Sequence, residues 1–272
     1  MSPGAGARGT GAFFGRRSRP SEAAVTEKWA RPQQCELPIP KEPKPMRIAE
    51  IYMSVQGEGL LTGEPSVFIR SSGCNLRCRF CDTPYASWRP EGEDLEVAEI
   101  LRRTLELDLN HVVITGGEPL VWSEMIPLTQ RLRSAGLHVT IETAGTLFLP
   151  VACDLMSLSP KLSNSTPSPA QTNGWAARHE RDRHNLRVAR QLAAIGDFQL
   201  KFVIDRPEDL DEVEGWLREF GDAGDRVWLM PQGTDINELA ARQTWLAAAC
   251  QQRGYRLCPR KQIEWFGLKR GT

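Results

Sequence analysis

Three cysteines within eight residues carry the clearest chemical signal in this sequence. Cys74, Cys78 and Cys81 are spaced C-x3-C-x2-C, which places three potential thiolate ligands on one short loop. Thiolates hold iron–sulfur clusters, and a [4Fe-4S] cluster usually takes four of them. With only three supplied locally, one iron is left open for a substrate or cofactor. The spacing therefore favours a redox enzyme over a structural module.

A zinc site is the alternative for the same cysteines. Structural zinc sites normally take four ligands, often as two well-separated C-x2-C pairs. Cys78 and Cys81 form one such pair, and Cys74 adds a third ligand. The fourth would have to come from a histidine or from a cysteine beyond residue 150. A zinc-stabilised binding module therefore stays open beside the iron–sulfur interpretation.

Two predicted strands end where these reactive residues begin. SVFIRSS (residues 66–72) is predicted as a strand that leads into Cys74, and HVVITGGEPL (residues 111–120) as a strand that leads into Gly116 and Gly117. Barrels of parallel strands place their reactive groups at the C-terminal strand ends. Two adjacent glycines also let a backbone edge approach a ligand closely. The two segments are therefore expected to meet at one site.

The elements that position this site follow an alternating pattern from Met46 onward. Short β-branched runs alternate with helical patterns, which indicates parallel strands and right-handed crossovers. The predicted fold is α/β, a partial (β/α) barrel with parallel strands. The predicted strands are residues 47–53, 66–71, 111–115, 137–142, 153–158, 198–204 and 225–230. The predicted helices are residues 94–108, 123–135, 186–195, 207–220 and 235–252.

Composition limits the classes of function. The 272 residues include 34 basic and 34 acidic ones, so nothing indicates a bulk electrostatic grip on nucleic acid or on an anionic membrane. No apolar run approaches the ~18 residues that a spanning helix needs. Seven cysteines, an odd number with three clustered, favour a reducing cytoplasm over a disulfide framework.

Two segments depart from the alternating pattern. Residues 1–45 are rich in Gly, Ala, Ser and Pro and include a basic run, and they are interpreted as a disordered or non-native extension with Met46 as the functional start. Residues 162–185 are polar and then heavily charged. A loop of this length inside a compact domain is either functional or disordered.

The motifs together resemble a known superfamily. C-x3-C-x2-C followed by GGEP is similar to the radical S-adenosylmethionine (SAM) enzymes. SVQGEGLLTGEPSVFIRSSGCNLRCRFCDTPYA, IETAGT, SLSPKLSNSTP and QLKFVID further resemble the 7-carboxy-7-deazaguanine synthase family of the queuosine pathway, over about residues 46–272. The resemblance implies a radical SAM catalytic domain there. It implies a carbon–nitrogen lyase that converts 6-carboxy-5,6,7,8-tetrahydropterin to 7-carboxy-7-deazaguanine with loss of ammonia, a homodimer, and an electron donor such as flavodoxin or ferredoxin.

The resemblance also implies which residues bind the cofactors. Cys74, Cys78 and Cys81 would hold a [4Fe-4S] cluster whose fourth iron binds SAM. The hydroxyl of Thr83 would bind Mg²⁺, a hard cation that prefers oxygen ligands; without the resemblance, Thr83 would be taken as part of a turn. The implied SAM-binding residues are Gly117, Glu118, Ser159, Pro160, Lys161, Gln199, Leu200, Lys201 and Phe202.

Substrate contacts are implied on the first strands. A pterin presents an amide-like edge and an exocyclic amine, which amide and carboxylate side chains match. An arginine at a strand end can clamp a carboxylate, although a surface ion pair is its commoner role. The implied substrate-binding residues are Val55, Gln56, Gly57, Glu58, Arg70 and Thr115. No protein general base is predicted.

One further enzyme class stays open. A radical SAM activase, which installs a glycyl radical on a partner protein, would share the cysteine motif but would have no use for QGEG or for the threonine of CDTPYA. The four histidines, His111, His138, His179 and His184, have no ligand or nucleophile partner at a suitable spacing, so no role is predicted for them. The C-terminal tail is not placed by the sequence.

Overall fold

A nine-stranded sheet organises the residues that this computed structural model describes, 44–171 and 174–272. The interpretation of residues 1–45 as an extension therefore falls outside the described residues, except for the last two. The strands are β1 (Met46–Val55), β2 (Pro65–Ser71), β3 (Glu93–Leu95), β4 (His111–Gly116), β5 (His138–Thr143), β6 (Leu155–Leu158), β7 (Asp197–Ile204), β8 (Val227–Pro231) and β9 (Arg256–Leu257). Their order across the sheet is β3-β1-β2-β4-β5-β6-β7-β8-β9.

The sheet is mostly parallel, in agreement with the predicted α/β fold. Each pair from β2–β4 through β8–β9 is parallel. The first strand departs from the prediction, because β1 runs antiparallel to both β2 and β3. Residues 56–64 join β1 to β2, and this connection is too short for the crossover that a parallel pair requires.

Eight helices accompany the described strands. They are α1 (Pro84–Ser87), α2 (Val97–Leu105), α3 (Met125–Ser134), α4 (Trp175–Asp182), α5 (Leu186–Ala193), α6 (Asp209–Phe220), α7 (Ile236–Arg253) and α8 (Lys261–Phe266). The five predicted helices correspond to α2, α3, α5, α6 and α7. The short helices α1 and α8 were not predicted, because helices of 4 and 6 residues are too short to show a hydrophobic period in the sequence. Helix α4 lies within the segment that was predicted as a loop.

Local signals explain the ends of the longest helix, α7. The side chain of Asp235 accepts hydrogen bonds from the backbone N–H groups of Asn237 and Glu238, at 2.9 and 3.1 Å, and so caps the first turn. Gly254 ends the helix in the left-handed region with φ of 70°, which a residue without a side chain adopts at little cost. Sequence periodicity and both caps therefore indicate the same ends for α7.

The central strands are buried on both faces. In β7, Leu200 and Phe202 point toward the outer helices, and the Phe202 ring packs edge-on against Trp216 of α6 with centroids 5.3 Å apart. Gln199 and Lys201 alternate with them and point to the inner face. A polar inner face on a central strand is costly unless its groups are paired, so it marks the side of the sheet that carries the site.

The two ends of the sheet approach each other on that inner side. The Gly59 N–H donates to Cys258 Sγ at 3.2 Å, and the Lys261 N–H donates to the Gly57 carbonyl at 3.0 Å. The chain that follows β1 thus meets the chain that follows β9. Strands β3 and β9 remain the edges of the described sheet, so the sheet curls into a partial barrel without closing.

Candidate active site

A cavity of about 800 Å³ lies at the C-terminal ends of the parallel strands. It brings together most of the residues to which the sequence assigned a role. Those that line it are Val55, Gln56, Gly57, Glu58, Arg70, Cys74, Cys78, Cys81, Thr83, Thr115, Gly117, Ser159, Lys161 and Lys201. The other residues with an assigned role lie outside the lining, and they are Glu118, Pro160, Gln199, Leu200 and Phe202.

The three cysteines lie on the loop between β2 and α1 as free thiols. The Leu76 N–H donates to Cys74 Sγ at 3.3 Å, and the Ser87 hydroxyl lies 3.1 Å from Cys81 Sγ. Burial raises the pKa of Cys74 and of Cys78 to about 12. Burial therefore favours the protonated thiol at Cys74 and Cys78, and a bound metal centre would stabilise their thiolates.

The geometry separates the two metal interpretations. Among residues 44–171 and 174–272, no three His, Cys, Asp or Glu side chains converge closely enough to hold a single metal ion. Zinc requires four donors around one ion. A [4Fe-4S] cluster is larger, and its cysteines bind separate irons. The described residues therefore form no preformed site for one zinc ion, and the three thiols that line the cavity are the local ligand set that a [4Fe-4S] cluster with one open iron requires.

Gly117 lets the cysteine loop pack directly on the end of β4. A Cβ atom at this position would lie 2.2 Å from the Gly73 carbonyl oxygen and 2.4 Å from that of Ala86. The Gly117 N–H donates to the Ser71 carbonyl at 3.1 Å, and the next N–H, of Glu118, donates to Gly73 at 2.9 Å. The glycine pair of GGEP thus holds the start of the cysteine loop through backbone contacts.

The Glu118 side chain is held by protein donors outside the cavity lining, and its contact with SAM stays a prediction. Its side chain is fully buried, and burial raises its pKa. The carboxylate accepts hydrogen bonds from the Thr143 hydroxyl at 2.7 Å and from the Ala144 and Leu120 N–H groups at 2.8 and 3.1 Å. It therefore braces the ends of β4 and β5 behind the cavity wall.

Of the four β7 residues predicted to bind SAM, Lys201 lines the cavity, and Val203 of the same strand lines it as well. Leu200 and Phe202 face the opposite side of the sheet, toward the hydrophobic core. Gln199 is occupied by the protein itself, since its Oε1 accepts from the Leu60 N–H at 2.8 Å and its Nε2 donates to Ser157 Oγ at 2.9 Å. The SAM contacts of Gln199, Leu200 and Phe202 stay predictions.

Lys201 is paired with two carboxylates of the protein. Its Nζ donates to Glu142 Oε1 at 2.6 Å and to Glu58 Oε2 at 3.0 Å, and its side chain is only 3% exposed. Burial alone would lower the pKa of Lys201, but Glu142 and then Glu58 outweigh it and raise the pKa. The lysine is therefore charged inside the cavity.

Glu58 receives donors from two distant parts of the chain. Besides Lys201, Gln262 Nε2 donates to its Oε1 at 2.6 Å and Arg260 Nε lies 3.3 Å from the same oxygen. Burial would raise the pKa of Glu58, but Lys201 and Arg260 hold it well below the usual range. Arg260 also pairs with Asp82 on the cysteine loop. The inner face is thus a connected network of charged side chains.

Arg70 is held in place by neighbours on β1. Its Nε donates to Glu50 Oε2 at 2.9 Å, and its Nη2 donates to the Tyr52 hydroxyl at 2.7 Å. The Nη1 group makes no hydrogen bond among the described residues. The guanidinium therefore lines the cavity in a fixed orientation with one edge available.

Several cavity residues had no predicted role. Glu142 sits at the end of β5 within the quoted motif IETAGT, and a carboxylate that ends a buried strand was a signal that could have identified it. Arg260 and Gln262 offered no such signal, because their partners lie about two hundred positions away. Residues 267–272 of the tail also line the cavity.

The fold and the site together define a radical SAM enzyme: a mostly parallel partial barrel with a three-cysteine loop at the C-terminal end of a strand. The family model described as the Radical SAM superfamily matches residues 68–161. The chain is 48% identical over 226 residues to the 7-carboxy-7-deazaguanine synthase of Rhodopirellula baltica, covering 83% of this chain and 88% of that protein. The chain belongs to the 7-carboxy-7-deazaguanine synthase family.

Two further comparisons agree. The chain is 43% identical over 227 residues to the 7-carboxy-7-deazaguanine synthase of Halobacterium salinarum, covering 79% of this chain and 88% of that protein. The crystal structure of QueE from Escherichia coli superposes with a TM-score of 0.58 at 25% identity, over 79% of this chain and 93% of that chain. In the described part of the chain, no helix has the length and apolar character to cross a membrane.

Proposed function

We propose that this chain forms 7-carboxy-7-deazaguanine from 6-carboxy-5,6,7,8-tetrahydropterin with loss of ammonia. The observation that carries the proposal is one cavity that joins the cysteine loop to the QGEG segment and to Arg70. Its polar groups match a flat, hydrogen-bonding ring that bears a carboxylate. The two relatives described above carry the name of this activity.

Cofactor binding is proposed for one side of the cavity. When bound to Cys74, Cys78 and Cys81, a [4Fe-4S] cluster together with SAM supplies the one-electron chemistry that removes a hydrogen atom from the substrate. Ser159 and Lys161 line this region, and Lys161 Nζ donates to the carbonyl and the hydroxyl of Ser159, both at 2.8 Å. We propose that Gly117, Ser159 and Lys161 orient SAM, with Pro160 acting through its backbone.

Pterin binding is proposed for the opposite side. Three donors approach the Glu58 carboxylate, which offers about four lone-pair positions, so about one acceptor position is left for a pterin N–H. Gln56 is buried, and its Nε2 donates a hydrogen bond to Ser66 Oγ at 2.9 Å, which fixes the orientation of the side-chain amide. The free edge of Arg70 supports a charge-assisted hydrogen bond to the substrate carboxylate. Val55, Gly57 and Thr115 complete the wall.

A magnesium ion is proposed between the cysteine loop and the substrate carboxylate. Thr83 lines the cavity, and its side chain makes no capping hydrogen bond to α1 although it precedes that helix. Its hydroxyl oxygen lies 3.7 Å from Cys81 Sγ. Mg²⁺ takes few protein oxygens and keeps several waters. One threonine hydroxyl plus a substrate carboxylate is a set of that kind.

The remaining proposals concern the surroundings of the enzyme. We propose a homodimer, a one-electron donor protein such as flavodoxin or ferredoxin, and a reducing cytoplasmic location. The free cysteines support the last of these, because thiols persist where glutathione and thioredoxin keep them reduced. Residues 1–45 are proposed as an extension outside the catalytic domain of residues 46–272.

An anaerobic assay tests the central proposal. Reconstituted protein is supplied with SAM, Mg²⁺, a low-potential reductant and carboxytetrahydropterin, and the deazaguanine product is followed by chromatography and mass. Product in this mixture, with no protein partner added, would also exclude the glycyl-radical activase. SAM cleavage without pterin consumption would overturn the substrate assignment. Purification with zinc and no iron or acid-labile sulfide would overturn the radical chemistry itself.

A further inference from the structure

A histidine outside the cavity is buried against the cysteine loop. The segment after β6 forms short 3-10 turns at Ser163–Ser165 and Pro169–Gln171 and then helix α4. Every other residue of α4 is exposed or half-buried, yet His179 on this helix is 0% exposed. No step of the proposed reaction uses His179, so its burial has another cause.

His179 contacts the backbone beside a cluster ligand. The N–H of Arg77, which directly precedes Cys78, donates to His179 Nδ1 at 3.0 Å. Because Nδ1 accepts, the ring proton lies on Nε2, which donates to Ser165 Oγ at 2.9 Å. The Ser165 hydroxyl in turn donates to the Leu162 carbonyl at 2.6 Å. Each donor in this series of three hydrogen bonds has one acceptor, so the imidazole is held in one tautomer.

The other side of Cys78 is held by the same segment. The Arg79 N–H donates to the Ser165 carbonyl at 2.9 Å, and Arg79 Nε donates to the Asn164 carbonyl at 2.6 Å. The backbone amides on both sides of Cys78 are therefore bonded to residues 164–179. These bonds turn the two amides away from the cavity that Cys78 lines.

An aromatic contact adds to the same support. The Arg77 guanidinium lies 4.1 Å from the centre of the Trp175 ring, at the first residue of α4. Its Nη1 donates to the carbonyls of Cys74 and Leu76, at 2.9 and 2.7 Å. Arg77 thus links the cysteine loop to α4 through its side chain as well as its backbone. Cation–π contacts of this kind are most favourable with tryptophan.

We infer that His179 is a positioning residue that fixes the cysteine loop in the conformation that presents its thiols to a cluster. It acts through the Arg77 amide and touches neither the cavity nor a thiol. A loop already in its binding conformation loses less conformational freedom when the ligand arrives. The inference rests on the proposed function only for the identity of the bound group, because the contacts belong to the chain itself.

Hydrogen exchange of the cluster-free protein tests the contact directly. His179→Leu removes the acceptor of the Arg77 amide, and we expect that amide to exchange at least about 10-fold faster. His179→Asn keeps an acceptor oxygen near the position of Nδ1, and we expect it to restore most of the protection. His184→Ala is the matched control, because His184 is an exposed histidine five positions along the same segment. In the His184→Ala variant, we expect the Arg77 amide to exchange at the same rate as in the unchanged protein.

A second readout uses the loaded protein without turnover. After anaerobic reconstitution, His179→Leu should retain less iron and lose its visible absorbance in air several-fold faster than His184→Ala. His179→Asn should lie between them. Unchanged Arg77 exchange in a folded His179→Leu protein would overturn the inference, and so would equal loss of protection in the Leu and Asn variants.

Two further outcomes are decisive. If His179→Leu does not fold, Ser165→Ala removes the hydroxyl that holds His179 Nε2, so the ring is no longer fixed toward the Arg77 amide, and unchanged exchange at Arg77 in that variant would overturn the inference. If the pterin assay fails while the exchange pattern is as expected, the proposed function is lost and the positioning role of His179 stands. The two ideas are therefore tested separately.

Discussion

Lys201 and Glu142 form an ion pair of 2.6 Å although β6 lies between the strands that carry them. Ser157 of β6 is in register with Glu142 and with Gln199, two residues before Lys201, so the ion pair runs diagonally past a small side chain. Thr115 of β4 donates to the other oxygen of Glu142 at 3.0 Å. One buried cation and one carboxylate therefore join three strand ends at the cavity.

Removal of the buried cation should be costly. Lys201→Met leaves Glu58 and Glu142 as half-buried carboxylates that have lost the cation between them, so we expect a loss of about 3 kcal/mol in unfolding free energy and loss of pterin turnover. Denaturant unfolding of the apo protein measures the first effect. Lys261→Met is the matched control, because Lys261 makes a half-exposed ion pair with Glu264 worth at most about 1 kcal/mol. Equal stability of the two variants would contradict the role of Lys201.

Addition of one methyl group at Gly117 should displace the cysteine loop. Gly117→Ala places a Cβ against the backbone oxygens of Gly73 and Ala86, so we expect about 1–3 kcal/mol of destabilisation and a lower iron content after reconstitution. Gly215→Ala is the control. Gly215 lies within α6, and its nearest new contact is a flexible side-chain atom of Arg218 at 3.7 Å. Alanine favours a helix, so this variant should be as stable as the unchanged protein or more so.

Loss of one loop thiol should abolish cluster assembly. Cys78→Ala is expected to give protein without the absorbance of an iron–sulfur cluster and without turnover, because three thiols are the whole local ligand set. Cys153→Ala should keep both, since Cys153 is buried in the hydrophobic core. Iron and sulfide analysis measures the difference. A cluster-loaded, active Cys78→Ala protein would remove Cys78 from the ligand set.

The magnesium proposal predicts a specific change in metal response. Thr83→Ala should lower turnover several-fold and weaken its dependence on added Mg²⁺, while the cluster absorbance stays the same. Thr244→Ala is the control, because Thr244 is an exposed residue of α7 whose hydroxyl bonds to the Ala240 carbonyl. An identical Mg²⁺ titration for Thr83→Ala and the unchanged protein would reject Thr83 as a magnesium ligand.

Acid should destabilise the fold through His179. Burial, followed by Arg183, lowers the pKa of His179 from 6.5 to about 4. Between these values the unfolded chain binds a proton that the folded chain does not, so stability is present above pH 6.5 and falls as the pH drops toward 4. The unfolding free energy, measured across this pH window, should decline less steeply for His179→Asn than for the unchanged protein. Of the charged neighbours, Glu180 and Asp182 oppose the shift and Lys161 adds to it.

The sequence predicted the elements whose pattern is local. Buried strands such as β4 and β7 and the longer helices were located because their burial pattern repeats within a few residues. The cysteine loop was placed at a strand end for the same reason. Glu118 and Phe202 were predicted to bind SAM from their motifs alone. Their side chains are buried outside the cavity lining, and the motifs carry no signal for that orientation.

The missed part of the site depends on contacts between distant positions. Glu58 and Arg260 are separated by 202 positions, and neither neighbourhood carries a pattern that pairs them. Helix α4 was missed because it has few apolar residues, and its inward face consists of His179 and part of Trp175. Such a face has no periodic hydrophobic signal. Its partner is the backbone of a loop, which composition does not reveal.

The contact between Asp82 and Arg260 has a consequence for the order of assembly. The two residues are 178 positions apart, and synthesis proceeds from the first to the second. The cysteine loop therefore leaves the ribosome long before the arginine that joins it to Glu58 has been made. Because chains fold from their N-terminal part as they emerge, the ligands for the cluster are present first. The cavity lining is completed only when Arg260, Gln262 and residues 267–272 have been made.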